Sequence, residues 1–186
     1  VWFDALINYI SAIDYGESNE NFDNCWPADY HLIGKDILTT HCVYWTTMLM
    51  AIGLELPKSI LAHGWWLTDQ TKMSKSLGNV ANPLDIADSY GVDPLRYFLM
   101  RNMVLGLDAN FSLKHFVKRY NSDLANDYGN LINRVTMLIG KYYNCTIPKF
   151  YKFDEIDLEL ISIAKSTPIK VQRKFENMKI HDAIEI

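Results

Sequence analysis

His31-Leu32-Ile33-Gly34-Lys35-Asp36 is the stretch on which the fold turns. Tyr30 to Gly34 is a short apolar run ending in Gly, and Asp36 opens a helical pattern that reaches about Ile52, where Gly53 can stop it. Strands alternating with helices imply a parallel α/β sheet. The same alternation is read on both sides. Val1-Trp2-Phe3 reads as the tail of a buried strand feeding a helix from Asp4 to Ile10, and Ile60 to Leu67 reads as one further strand. Ligands of such sheets sit beyond the carboxyl ends of the strands, and Asp4, Gly34 and Asp36 fall at such ends.

Between these elements, Gly16 to Asn24 is polar and loop-like, and Trp26-Pro27 fixes an extended turn. Thr68-Asp69-Gln70-Thr71 is a turn. Asn82-Pro83-Leu84-Asp85 is a helix start with a cap, a Pro at the first position and an acid in the first turn; Gly91 closes that helix, and Asp93-Pro94 opens the next, from Leu95 to about Met103. Ser112 caps a helical segment that continues, with a bend near Asn121-Ser122, to about Tyr143. Leu124, Tyr128, Leu131, Val135, Leu138 and Tyr142 form one apolar stripe of a bundle helix, and Asn126, Asn130 and Arg134 form a polar stripe beside it. After a connector containing Pro148, a helix from Asp157 to about Lys165 is expected to stop before Pro168, with another from Ile169 to Asn177. Asp182 to Ile186 reads as a helix cut off in its first turns, and Val1 is not an initiator Met. The chain is therefore expected to be a piece of a longer protein.

Composition narrows the classes. Of 186 residues, 49% are hydrophobic and 22% charged, a normal globular balance. The best apolar run, Val43 to Leu54, is too short to span a bilayer, so no membrane partner is expected. Cys25, Cys42 and Cys145 are odd in number and far apart, which fits a reducing, cytoplasmic setting and gives neither a disulfide framework nor a metal knuckle. The five histidines form no ligand set. A net charge of -4 argues against non-specific nucleic-acid binding by the whole surface, but leaves localised phosphate contacts open.

Four constellations carry chemistry. Ile37, His41 and Trp45 recur every fourth residue and share a helical face, which Trp2 and Tyr9 can reach. Such a set is a plain core or an aromatic pocket with few polar handles, suited to a flexible thioether. Gly34 with Asp36 is a close-approach Gly beside an acid that either caps the helix or accepts from ribose hydroxyls. His63-Gly64-Trp65-Trp66 can frame an adenine or be buried structure. Lys72-Met73-Ser74-Lys75-Ser76 brings two ammonium groups and small hydroxyl donors into one loop, suited to a phosphate that changes position during a reaction. There is no G-x-S-x-G, H-E-x-x-H, Walker loop or dinucleotide fingerprint.

These blocks, together with Asn121-Ser122-Asp123-Leu124-Ala125-Asn126-Asp127-Tyr128-Gly129-Asn130, occur in an order that closely resembles the methionyl-tRNA synthetases, class I aminoacyl-tRNA synthetases of bacterial and organellar form. The resemblance covers nearly the whole chain and weakens after about Asn144. It implies the second half of a Rossmann-like nucleotide fold over 1–58, a linker domain carrying the KMSKS loop over 59–110, and an incomplete α-helical anticodon-binding bundle over 111–186. It implies Trp2, Ala5, Tyr9, Ile37, His41 and Trp45 as the methionine pocket, with Leu6 standing where some members carry Pro. Gly34, Asp36, His63, Gly64, Trp66, Lys72, Ser74 and Lys75 match ATP-binding positions, Lys72 and Lys75 being the catalytic loop lysines. Asn130 and Arg134 match anticodon-reading positions. The implied activity is ATP-dependent charging of tRNA(Met), with Mg2+ accompanying ATP and no metal site within these residues. An H-x-G-H signature does not occur in the 186 residues. The family's connective insert with its metal knuckles and its later bundle helix are not here either. The isolated chain is thus expected to be inactive without an N-terminal half of the same protein. A synthetase for another apolar amino acid, or a tRNA-binding module without catalysis, are the other readings.

Overall fold

The computed structural model describes all residues except 18–19, 69–70, 74–80 and 150–151. The chain divides into two compact units, one of Val1–Trp65 with Gly106–Asp108 and one of Trp66–Leu105 with Ala109–Ile186.

The first unit opens with helix α1, Trp2–Ser11. Its first residues do not form the tail of a strand: apolar residues at 2, 3, 6, 7 and 10 recur at helical spacing, and Leu6 and Ile10 are the buried pair of that face. A short α2, Asn21–Cys25, precedes β1, His31–Gly34. A continuous helical stretch then runs from a 3-10 turn at Lys35–Ile37 through a π-helical segment at Thr40–Trp45 into α3, Thr46–Ala51. β1 pairs in parallel with β2, Ile60–His63, in the register His31 to Ile60 and Gly34 to His63. The core of this unit is Leu6, Ile10, Trp45 and Leu49, with Tyr9, Phe22, Trp26 and Met48 packed around it.

The strand expected from Ile60 to Leu67 is interrupted. β2 ends at His63, and β3 spans Trp66–Thr68 in a different sheet. The break falls where Gly64 lies against the backbone of Leu107, and the Trp65 N–H turns aside to donate to the Asp108 carboxylate at 2.9 Å.

In the second unit β3 pairs antiparallel with β4, Thr71–Lys72, and parallel with β5, Ala109–Asn110. Thr68 and Thr71 are register partners in that antiparallel pair, and residues 69–70 of the turn expected there lie outside the described residues. Helix α4, Pro83–Tyr90, begins at the Asn82 side chain, which accepts from the Leu84 N–H, and ends at Gly91, whose φ is 95°. Helix α5, Val92–Asn102, follows. The Ser112 hydroxyl accepts from His115 N–H and starts α6, Leu113–Arg119, which passes through a π-helical segment, Tyr120–Gly129, into α7, Asn130–Tyr143. The bend expected near Asn121 is this widened segment. A phenylalanine core of Leu95, Phe98, Phe111 and Phe116 holds these elements. On α7 the apolar stripe remains largely exposed, Leu131 at 62% and Tyr142 at 63%.

Pro168 does not divide the next helix. α8 is continuous over Glu155–Glu176 with Pro168 inside, and α9, Ile180–Glu185, follows. Its first turn is fixed by Asp154 and Asp157, each carboxylate accepting the other's backbone N–H, so Asp157 lies inside the helix rather than opening it. Around the proline, the Ser166 and Thr167 hydroxyls both donate to the Ile163 carbonyl at 2.9 Å.

Candidate functional site

The helical stretch after β1 places the rings. In the π-helical segment the longer i→i+5 closure keeps residues four apart in line, so Ile37, His41 and Trp45 act together. His41 is 2% exposed. Its Nδ1–H donates to the Ile37 carbonyl at 2.9 Å, leaving Nε2 to accept from the Tyr9 hydroxyl at 2.9 Å. The carbonyl oxygen, an acceptor only, places a proton on Nδ1. Burial pushes the Tyr9 hydroxyl up, which keeps it a donor. Trp2 stands edge-on to His41 at 6.3 Å, and Tyr9 lies 5.8 Å from Trp45. Trp2 and Ala5 are exposed, Tyr9 and Ile37 half-buried, and His41 and Trp45 fully buried. The structure therefore brings all six expected wall residues onto two neighbouring elements, α1 and the helix after β1. Leu6, by contrast, belongs to the core beneath them.

Sequence reasoning missed two members of this cluster. His31 is 5% exposed and stacks on Tyr9 at 4.3 Å, and its Nε2 accepts the Trp45 indole N–H at 3.1 Å. Burial, and after it the neighbouring His41, hold its imidazole below the ordinary histidine range. Trp26 lies 6.2 Å from Trp45 in an edge-on contact, with its own indole N–H donating to the Glu55 carbonyl. The strand's alternation carried the signal: His31 and Ile33 are buried while Leu32 between them is exposed.

The candidate nucleotide residues of the first unit meet at the ends of β1 and β2. A side chain at Gly34 would strike the Asp36 carboxylate, 2.6 Å from its Oδ1, and lie 4.0 Å from the His63 ring. Asp36 thus folds back over bare backbone, and His63 faces it across the strand pair. His63 donates from Nδ1 to the Gly64 carbonyl at 2.7 Å. Gly64 has a structural reason to lack a side chain, because a Cβ would overlap the Leu107 carbonyl. The segment that covers it is clamped by Asp108, which pairs with Lys35 at 2.5 Å and takes the Trp65 N–H. These two donors, Lys35 first, hold its carboxyl below the usual carboxylate range. Lys35 also sits 4.5 Å over the Trp65 ring. No local pattern pointed to Asp108, whose partner Trp65 is 43 residues away.

In the second unit Trp66 stacks on Phe98 at 6.2 Å. Lys72 ends β4. Ser74 and Lys75 lie outside the described residues, as does the Lys72 side chain. The residues on either side of segment 74–80, Met73 and Ala81, both pack against the phenylalanine core. Asn130 and Arg134 are exposed on α7, and Asn126 shares their exposure. Beside them the Asp123 carboxylate accepts from Tyr97 at 2.9 Å, Arg119 at 3.1 Å and Ser122 at 2.5 Å. Burial alone would raise that carboxyl, but the three donors outweigh it and hold it low, while burial and the same bond push Tyr97 up. The network borders a cavity of about 840 Å3. Among the described residues no group of His, Cys, Asp or Glu could hold a metal ion, and no helix is long and apolar enough to cross a membrane.

Known proteins resemble this arrangement closely. Methionine--tRNA ligase of Clostridium perfringens is 48% identical over 186 residues, which is 100% of this chain and 29% of that protein. Methionine--tRNA ligase 1 of Bacillus anthracis is 49% identical, covering 99% of this chain and 28% of that one. The chain thus spans less than a third of these relatives' length. Mycobacterium tuberculosis methionyl-tRNA synthetase in complex with methionyl-adenylate superposes with a TM-score of 0.92 at 40% identity, over 99% of this chain and 36% of that one. Its apo form gives 0.86 at 36% identity. The family model described as tRNA synthetases class I (M) matches residues 1–136, and on that match the chain belongs to the class I (M) tRNA synthetases.

Proposed function

We propose that the protein containing this chain activates methionine with ATP and charges tRNA(Met). The methionine carboxylate attacks the α-phosphorus of ATP; the bond to pyrophosphate breaks, and methionyl-adenylate and pyrophosphate result. The methionyl group then passes to the terminal ribose of the tRNA, releasing AMP. Neither step needs a protein nucleophile, so the chain's residues act by positioning and by stabilising charge. The observation that carries this reading is the cluster of Trp2, Tyr9, His41 and Trp45, an aromatic wall in which His41 is bonded to the Ile37 carbonyl and the Tyr9 hydroxyl. An uncharged, polarizable thioether suits such a wall, whereas a charged or strongly polar side chain does not. The complex of the M. tuberculosis relative with methionyl-adenylate supports it.

In this reading Ala5 and Ile37 complete the methionine wall. Gly34 and Asp36 meet the ATP ribose, with His63, Gly64 and the Trp66 backbone beside the adenine. Lys72, Ser74 and Lys75 engage the triphosphate, which arrives with Mg2+, and the lysines neutralise charge on the departing pyrophosphate. Asn130 and Arg134 read the anticodon from α7. The domains implied are the second half of a Rossmann-like nucleotide fold over 1–58, the KMSKS linker over 59–110 and part of the anticodon bundle over 111–186. The setting is the cytoplasm.

ATP–pyrophosphate exchange by the intact protein tests this. Methionine should support exchange far better than leucine, isoleucine or valine; a preference for one of those makes the pocket that of another apolar amino acid. No exchange, with tRNA still retarded in a gel, identifies an RNA-binding module instead. Lys75→Ala should slow activation by about a hundredfold or more while methionine affinity changes little, since the contact matters most in the transition state.

A further inference from the structure

We propose that His31 is a positioning residue of the amino-acid pocket: its unprotonated Nε2 takes the Trp45 indole N–H and its ring backs Tyr9, fixing two walls of the pocket at once. This rests on the methionine reading of that cluster.

The geometry carries it as follows. Trp45 is 1% exposed, so its indole N–H has no water to turn to and must find an acceptor inside the protein. His31 supplies it at 3.1 Å from β1, 14 residues away in sequence. An indole nitrogen only donates, so the bond exists only while His31 Nε2 is bare. The same imidazole lies 4.3 Å from the Tyr9 ring, tilted by 30°. Tyr9 in turn donates to His41. Two histidines therefore stand side by side, His41 bonded to Tyr9 and His31 to Trp45, and both wall rings are held at their polar ends. A proton on His31 would set N–H against N–H, and Trp45 or His31 would have to turn. The titratable groups facing His31 are Tyr9 from α1 and His41 from the π-helical segment; Trp26 and Trp45 are its other ring neighbours. The ion pair at the strand entrance, Asp29 with Lys58, is exposed. His31 itself touches the wall and not the substrate side of it, which makes its role one of placement.

The test uses the intact protein and compares His31→Leu, which removes the acceptor, with His31→Gln, which keeps one. In ATP–pyrophosphate exchange, His31→Leu should raise the methionine KM by about tenfold with the ATP KM within about twofold, because an unpaired buried donor lets the wall shift. His31→Gln should return the methionine KM to within about threefold. In the wild type the methionine KM should rise as pH falls below the ordinary histidine value of about 6.5, and this rise should flatten in His31→Gln. An unchanged methionine KM in folded His31→Leu overturns the proposal, as does equal damage by both substitutions or a full acid rise in His31→Gln. If the Leu variant does not fold, the pH profile of the Gln variant decides. If the wild type shows no methionine-dependent exchange, the methionine reading fails instead. The 19F resonance of 5-fluorotryptophan at position 45 still decides the contact: movement over the same pH span that is lost in His31→Gln supports it, and a resonance indifferent to both overturns it.

Discussion

The two cores of this chain are both built on aromatic rings, and they are built differently. The phenylalanine core of the second unit, Leu95, Phe98, Phe111 and Phe116, is joined by edge-on contacts such as Phe98 to Phe111 at 5.6 Å and Phe98 to Phe116 at 5.3 Å. Its buried members carry no side-chain polar atom. The core of the first unit continues into rings that do: Tyr9 to His41 and Trp45 to His31 are bonded as well as packed. Hydrocarbon contact tolerates small slides of one ring over another, whereas a hydrogen bond sets distance and angle. The dry cluster suits anchoring, and it holds Met73 and Ala81 on either side of the lysine-bearing segment. The wired cluster suits a surface that must keep one shape against a substrate.

Four measurements would break or sharpen that contrast. The largest effect should come from Phe98→Ala, which empties the centre of the dry cluster. It should cost about 3–5 kcal/mol in urea unfolding, with the methionine KM of the folded protein within about twofold of wild type. A large rise in that KM would show that the dry cluster shapes the pocket after all. Next, His41→Ala should raise the methionine KM by about tenfold, since it removes the Tyr9 acceptor and a buried wall group together. An unchanged KM in steady-state kinetics would remove His41 from the pocket. Third, Tyr97→Phe should cost about 1 kcal/mol of stability through the lost bond to Asp123, without altering the methionine KM. Because the Asp123 carboxyl is held low in the folded state, its contribution is present above the unfolded value of about 3.9 and is lost as pH falls through the folded one. Acid unfolding monitored by circular dichroism should show a shallower loss in Asp123→Asn.

The smallest effect is on the wired side. His31 is held below its ordinary range, so the unfolded chain takes up its proton first. Stability should therefore be full above about pH 6.5 and decline as pH falls below it, levelling once the folded group also titrates. Unfolding midpoints across that window should slope in the wild type and flatten in His31→Gln. A wild-type slope of the opposite sign would mean that folding favours the imidazolium.

Local chemistry was legible wherever a few adjacent residues settle the backbone. Asn82-Pro83 and Gly91 bracket a helix, Ser112 caps one, and the face shared by Ile37, His41 and Trp45 survives the change from an α to a π repeat. What escaped depended on distant partners. Val1-Trp2-Phe3 has the composition of a strand, but Leu6 and Ile10 draw it into a helix against Trp45 and Leu49. The run from Ile60 to Leu67 carries no local sign of the segment around Leu107 that splits it. Pro168 looked like a stop because its ring removes a donor, yet the helix runs through it over Glu155–Glu176. For the site, the shared face of Ile37, His41 and Trp45 was readable from spacing and Ala5 came only with the family resemblance, whereas His31 and Asp108 needed the third dimension. The lysine segment beyond Met73 was singled out by its letters, and 74–80 lie outside the described residues.

The bare α-carbon at position 64 has a genetic corollary. Every single-base change in a glycine codon that alters the amino acid without creating a stop inserts a residue with a β-carbon, and here each such allele meets the Leu107 carbonyl. Alanine, the mildest of them, already forces main chain to yield rather than a pliable side chain. Random mutagenesis of this protein should accordingly recover heat-sensitive alleles at that codon.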